Sequence, residues 1–139
     1  MVDMSAALRR EVDEVLPQQG NSEVARLFFS ALTEGRYEDA SGMLASDATW
    51  WMLSKRDYVD PAIWFAGFKA FFPNGLEFVI EGLTCEESRV AVRARAAAVA
   101  ANGRDFDNAF HFLFEIEDDK IKSAWEYGDT LHAERVFRG

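Results

Sequence analysis

The side chains able to do chemistry are few, and they gather toward the end of the chain. Across 120–130, strict alternation puts Ile121, Ser123, Trp125, Tyr127 and Asp129 on one strand face. Lys122, Ala124, Glu126 and Gly128 fall on the other. Across 105–117, Asn108, Phe110, Phe112, Phe114 and Ile116 oppose Ala109, His111, Leu113, Glu115 and Glu117. The aromatic sets must face the core, and they take Asn108, Tyr127 and Asp129 with them. A carboxylate so placed is desolvated, which raises its pKa toward the range useful for proton transfer. Asp129 is therefore the candidate catalytic group, its competing role being a strand-end cap for Thr130–Val136. Asn108 could orient a ligand carbonyl or hydroxyl, or serve the turn that follows Asn102-Gly103. Tyr127 could donate through its phenol, or be a core residue with a satisfied hydroxyl.

The remaining reactive types carry less. His111 falls on the opposite face, with Glu115 or Glu126 as its expected partner, and His132 is expected at the surface. Cys85 adjoins Glu86 and Glu87, whose charge disfavours a thiolate. No serine elbow, glycine-rich phosphate loop or metal-ligand spacing occurs, so no cofactor or metal is expected.

The elements that must position these groups follow from periodicity. Leu8, Val12, Val15 and Leu16 predict a helix over Ser5–Leu16, and Pro17-Gln18-Gln19-Gly20 predicts a hinge. Residues 1–20 are thus read as an N-terminal helix and hinge, and 21–139 as a single domain. Asn21 or Ser22 caps the next helix, with Val24, Leu27, Phe28, Ala31 and Leu32 on its inner face and Gly35 as its left-handed stop. A third short helix carries Tyr37, Ala40 and Leu44, before a strand over 47–52. Asp60-Pro61 starts a further helix striped with Trp64, Phe65, Phe68, Phe71 and Phe72. From Leu76 the period becomes two, giving strands over 76–85, 88–101, 105–117 and 120–130. Asn102-Gly103 between two of them suits a type I′ hairpin. Helices first and hairpins later indicate an α+β fold, helices packed on one face of a curved antiparallel sheet.

In strand 88–101, Val90, Val92, Ala94, Ala96, Ala98 and Ala100 share a face. Small residues beside large rings mean either tight interdigitation or a ligand cavity. On the outer face Arg93 and Arg95 are expected near Glu115, Glu117 and Glu126. That face reads as a solvated ion-pair lattice or, with Leu113, Ala91 and Val99, as the contact of a two-fold homodimer, which is the expectation.

Composition bounds the function. The 139 residues are 49% hydrophobic, enough for one core, and carry 15 Lys+Arg against 24 Asp+Glu, a formal charge of −9. That balance argues against nucleic acid and anionic membranes as partners. With no apolar run of about 18 residues and a charged, alanine-rich start, neither a membrane span nor a secretory leader is expected, which suggests the cytoplasm. Twelve Phe, four Trp and three Tyr are many rings for so small a core.

The runs Asn108–Ile116, Asp119-Lys120-Ile121 and Glu126–Thr130, with Leu32–Gly35 and Ser46–Trp50, resemble the SnoaL-like family. That family belongs to the superfamily of nuclear transport factor 2, ketosteroid isomerase and limonene epoxide hydrolase. The resemblance spans about residues 21–134 and implies a cystatin-like α+β barrel, a cone of curved sheet closed by three helices. Ketosteroid isomerase's tyrosine, protonated aspartic acid and aspartate base would fall near Phe28, Phe112 and Met52, all apolar, so that machinery is not implied. The Arg-x-Asp pair of limonene epoxide hydrolase would fall near Arg93 and Arg95, or Ala94 and Ala96, without its aspartate. The acid/base aspartate of SnoaL-type polyketide cyclases resembles Asp129. Three readings follow. One is cofactor-free proton transfer by Asp129 on a small hydrophobic or aromatic molecule, with Asn108 and Tyr127 positioning it and Trp50, Trp64, Phe110, Phe112 and Trp125 as apolar walls. The second is a non-catalytic module that uses the same pocket or the dimer face. The third is a fully packed cone with no cavity, serving assembly.

Overall fold

The structure, a computed structural model, describes residues 17–138, with side chains from Gly20 onward; the predicted helix over Ser5–Leu16 lies outside them. Helix α1 (Pro17–Thr33) is followed by α2 (Tyr37–Gly42), β1 (Leu44–Met52), β2 (Asp57–Val59) and α3 (Pro61–Phe71). Then come β3 (Glu77–Glu86), β4 (Arg89–Val99), β5 (Asp105–Glu117), β6 (Lys120–Gly128) and α4 (Thr130–Phe137). The strands form one curved, unclosed sheet in the order β2-β1-β6-β5-β4-β3. Every pairing is antiparallel except β1 with β6, so the sheet is mixed where an antiparallel one was expected.

Local chemistry explains most element ends. Gly35, at φ +74, lets Arg36 N reach back to Ala31 O and ends α1. Asp60 Oδ1 accepts from Ala62 N at 2.9 Å, with Pro61 as the first residue of α3. The expected hinge at 17–20 is helical instead. Proline is tolerated in a first turn, and a single exposed glycine costs a helix only about 1 kcal/mol. Leu27, expected inside, is exposed. The positive-φ pair of a type I′ turn occurs at Asp118 and Asp119 (φ 51 and 60), not at Asn102-Gly103, where only Gly103 is positive. Asn102 instead accepts from Arg104 N and donates to Val136 O at 2.7 Å, tying its loop to α4.

The core lies between α1, α3 and the inner sheet face. Val24, Ala25, Phe28, Phe29, Ala31 and Leu32 of α1 are all buried. On β5, Phe106, Asn108, Phe110, Phe112 and Phe114 pair across with Ala98, Ala96, Ala94, Val92 and Val90 of β4. The small side chains leave room for the rings that β5 supplies.

One irregularity inverts the expected facing of β6. Ile116 pairs with Ile121, but Glu115 pairs with Ser123, so Lys122 has no partner across the ladder. Beyond that bulge Phe114, Phe112 and Phe110 lie opposite Ala124, Glu126 and Gly128, which therefore face inward. Leu113 and His111 lie opposite Trp125 and Tyr127, which face outward. Ile121 is inside, as expected; everything after Lys122 is reversed.

Gly128 is required by this register. A Cβ there would stand 2.7 Å from Phe110 Cε1, against a half-buried ring packed on Phe112 and the core. Gly128→Ala is expected to lower the urea-unfolding free energy by about 1–3 kcal/mol. Gly20→Ala, in exposed helix with nothing within 4 Å, is expected to raise it by up to about 1 kcal/mol.

Candidate functional site

Between α3, β5, β6 and α4 lies a cleft of about 730 Å³. Its walls are rings: Trp64 and Phe68 from α3, Phe78 from β3, and Phe106, Phe110 and Phe112 from β5. Only two polar residues of the described chain are buried, Asn108 at 2% exposure and Glu126 at 8%, and both line this cleft. A second hollow of about 640 Å³ beside β1 and β2 contains no buried polar side chain.

Glu126 is the residue the sequence reasoning missed. The bulge turns it inward, where Trp64 Nε1 donates to its Oε1 at 2.9 Å. Burial among rings pushes its pKa up from 4.5 to about 7, because a desolvated carboxylate lacks water; the hydrogen bond from Trp64 opposes that rise only in part. Trp50 is fully buried behind Trp64, their ring centroids 4.5 Å apart. Its Nε1 lies near enough to favour the ionised carboxyl but outside hydrogen-bond geometry, and it is the one buried side-chain polar atom among the described residues without a partner.

The other candidates divide between the two faces. Asn108 is inside as expected; its Nδ2 donates to Asp129 O at 3.3 Å and its Oδ1 accepts from Ala109 N. Trp64, Phe110 and Phe112 line the cleft, and Trp50 forms the layer behind them. Asp129 is exposed at the rim, not desolvated. Its Oδ1 accepts from Leu131 N and His132 N, both at 3.1 Å, so it caps α4, the competing role that its position allowed. Tyr127, 43% exposed, and Trp125 stand on the outer face, where Tyr127 meets Trp51 at 5.3 Å between centroids. His132 is half-buried rather than at the surface, its Nε2 accepting from Asp107 N.

On the outer face Glu126 is absent, and Glu115 lies across from Arg89 rather than from Arg93 or Arg95, which face His111 and Ala109. Arg95 instead pairs with Asp107 at 2.7 Å, and Arg93 donates to Glu81 O. No group of three potential metal ligands occurs among the described residues.

Because Glu126 holds its proton more tightly folded than unfolded, its own contribution to folding stability is fully present below about pH 4.5. It declines as pH rises toward 7, by about 3 kcal/mol once ionisation is complete. Glu126→Gln keeps an acceptor for Trp64 and removes that penalty. The variant should therefore melt several degrees above the wild type at pH 8, a gap that closes by pH 4, as calorimetry at the two pH values would show.

The geometry can be set beside known proteins. A model of the SnoaL-like domain matches residues 25–124. No curated protein matches in sequence. Among solved structures, AclR from Streptomyces galilaeus, described as a hydroxylase, superposes with a TM-score of 0.74 at 15% identity, covering 84% of this chain and 80% of its own. A protein from Jannaschia sp. described as a SnoaL-like polyketide cyclase gives 0.74 at 20% identity, with 86% and 92% covered. IdmH from Streptomyces antibioticus, described as a polyketide cyclase, gives 0.70 at 19% identity, with 81% and 94% covered. With the domain match spanning most of the chain and the mixed, curved sheet and its helices shared with these structures, the protein belongs to the SnoaL-like family.

Proposed function

We propose that this protein binds a small, largely apolar molecule in the cleft and moves a proton on it, with Glu126 as the acid and base. The observation that carries this reading is a carboxyl buried at a ring-lined wall and anchored by an indole N–H, with a pKa of about 7. A group poised there populates both protonation states near neutral pH, as proton transfer needs. Asn108, with one N–H engaged by Asp129 O, has a second for a ligand carbonyl or hydroxyl. The cyclase descriptions of structural relatives support a ring-bearing substrate.

Asp129 remains a second reading because it borders the same cleft, but its carboxylate is already engaged by two backbone N–H groups. The ketone 2-tetralone, aromatic and with acidic α-protons, separates these possibilities by NMR of deuterium exchange at its α-carbons. The wild type is expected to accelerate exchange by about 10²–10⁴-fold, Asp129→Asn to retain that rate and Glu126→Gln to lose it. Loss in Asp129→Asn alone would return the role to Asp129. Binding without exchange would leave the non-catalytic module.

The outer sheet face is proposed as a two-fold contact between copies. Trp51, Trp125 and Tyr127 form an aromatic surface there, and Val79 and Val99 are each 52% exposed beyond the Arg95–Asp107 pair. Sedimentation should give the mass of two chains, and Tyr127→Glu that of one. A monomeric wild type at tens of micromolar would reject this arrangement.

A further inference from the structure

The cleft offers a buried carboxyl, ring faces and no cation paired with that carboxyl. Five ion pairs occur among the described residues, and none involves Glu126. The other ionisable groups on the cleft wall are Lys55 from the β1–β2 turn, Asp129, Glu134 of α4 and Arg138 just after it. All four are exposed; Arg138 pairs with Glu134 at 2.8 Å and Asp129 caps α4. Their formal charges sum to zero, and none of the four contributes to the shift of Glu126, which burial and the two indoles account for. Glu126 thus sits in the arrangement that most lacks a cation: a low-dielectric wall, a single acid and only neutral donors.

The surrounding rings favour the same sign of charge. Phe112 lies directly across the ladder from Glu126, with Phe110 stacked on it at 5.5 Å, and Phe68 stands 5.4 Å from Trp64. Aromatic faces carry negative potential and attract alkylammonium groups. The chain's formal charge of −9 draws cations from a distance. A third, separate observation is the unpartnered Trp50 N–H beside the carboxyl. A cation holding Glu126 ionised would let the carboxylate accept from both indoles, and the orphaned donor would gain its partner.

We propose that the molecule this cleft takes carries an alkylammonium group, a protonated tertiary amine or a quaternary ammonium ion, seated against Glu126 with its apolar body along the phenylalanine faces. The proposal rests on the reading of the cleft given above and names its substrate class. The protons balance simply. A tertiary amine entering as its free base takes the carboxyl proton, one O–H bond breaking as one N–H bond forms; one that enters already protonated, like a quaternary ion, displaces that proton to solvent.

The test uses the full chain with benzyltrimethylammonium and its neutral carbon isostere neopentylbenzene, by calorimetry at pH 5.5 and 8.5 with indole N–H resonances followed by NMR. The ammonium ion is expected to bind about 30-fold more tightly at the higher pH, as titration of one group near pH 7 requires. The isostere should bind equally at both. The Trp50 and Trp64 N–H signals should shift with the ion and not with the isostere. Glu126→Gln, its fold checked by an otherwise unchanged amide spectrum, should bind the ion without pH dependence. An ion whose affinity ignores both pH and Glu126→Gln would overturn the ammonium proposal while binding of the isostere upheld the cleft. Binding of neither probe would overturn both.

Discussion

The inner face of this protein is set by the pairing of β5 with β6. Three phenylalanines on β5 require that whatever lies opposite them be small or lie flat, and β6 answers with Ala124, Glu126 and Gly128. Gly128 is an extreme case, since the Phe110 ring occupies the space a methyl group would need. The register is reached only because Lys122 is left out of the ladder, its ammonium meeting Asp47 of β1 at 3.0 Å on the surface. A one-residue slip exchanges the two faces of a strand completely. Here that exchange selects which acid enters the cleft.

Energetically, the inward acid is unfavourable for the fold and therefore informative. Above neutral pH its ionised form opposes folding by about 3 kcal/mol, a large share of a typical domain's net stability. Glutamine would satisfy Trp64 equally well without that penalty. Structural economy alone gives no reason for a carboxyl at this position; the proposed roles in proton transfer and ammonium binding would. The same reasoning does not apply to Asp129, whose charge is solvated and matched to the N-terminal end of α4.

Much of the architecture was legible because it is written in local signals. Asp60-Pro61 starts α3 and Gly35 ends α1, each by chemistry contained in a few residues. The alternation of β4 and β5 reads correctly over its full length, so Asn108, Phe110 and Phe112 were placed on the right face. The bulge is different in kind. Ile121 and Ala124 both face inward, an odd spacing that no strict period of two allows, and alternation anchored on Ile121 carried Trp125, Tyr127 and Asp129 to the wrong side. A usable signal was present: the indole N–H of any buried tryptophan needs an acceptor, and a core otherwise built of Phe, Ala and Val offers very few.

Glu126 and Asp129 stand three residues apart, and their difference shows what makes a carboxyl useful. Asp129 lies where the strand has ended; it faces water and holds two backbone N–H groups as the cap of α4. Glu126 lies where the strand still pairs, so its backbone is fixed on both sides, by Phe112 across the ladder and by Met52 of the parallel β1. Its carboxyl has rings for neighbours and one indole to hold it in place. The rigid ladder supplies position and the missing water raises the pKa, and only a side chain on the inner face of a continuous strand receives both. Which acid the cleft holds therefore follows from where β6 bulges, not from which acid lies closest to the rim.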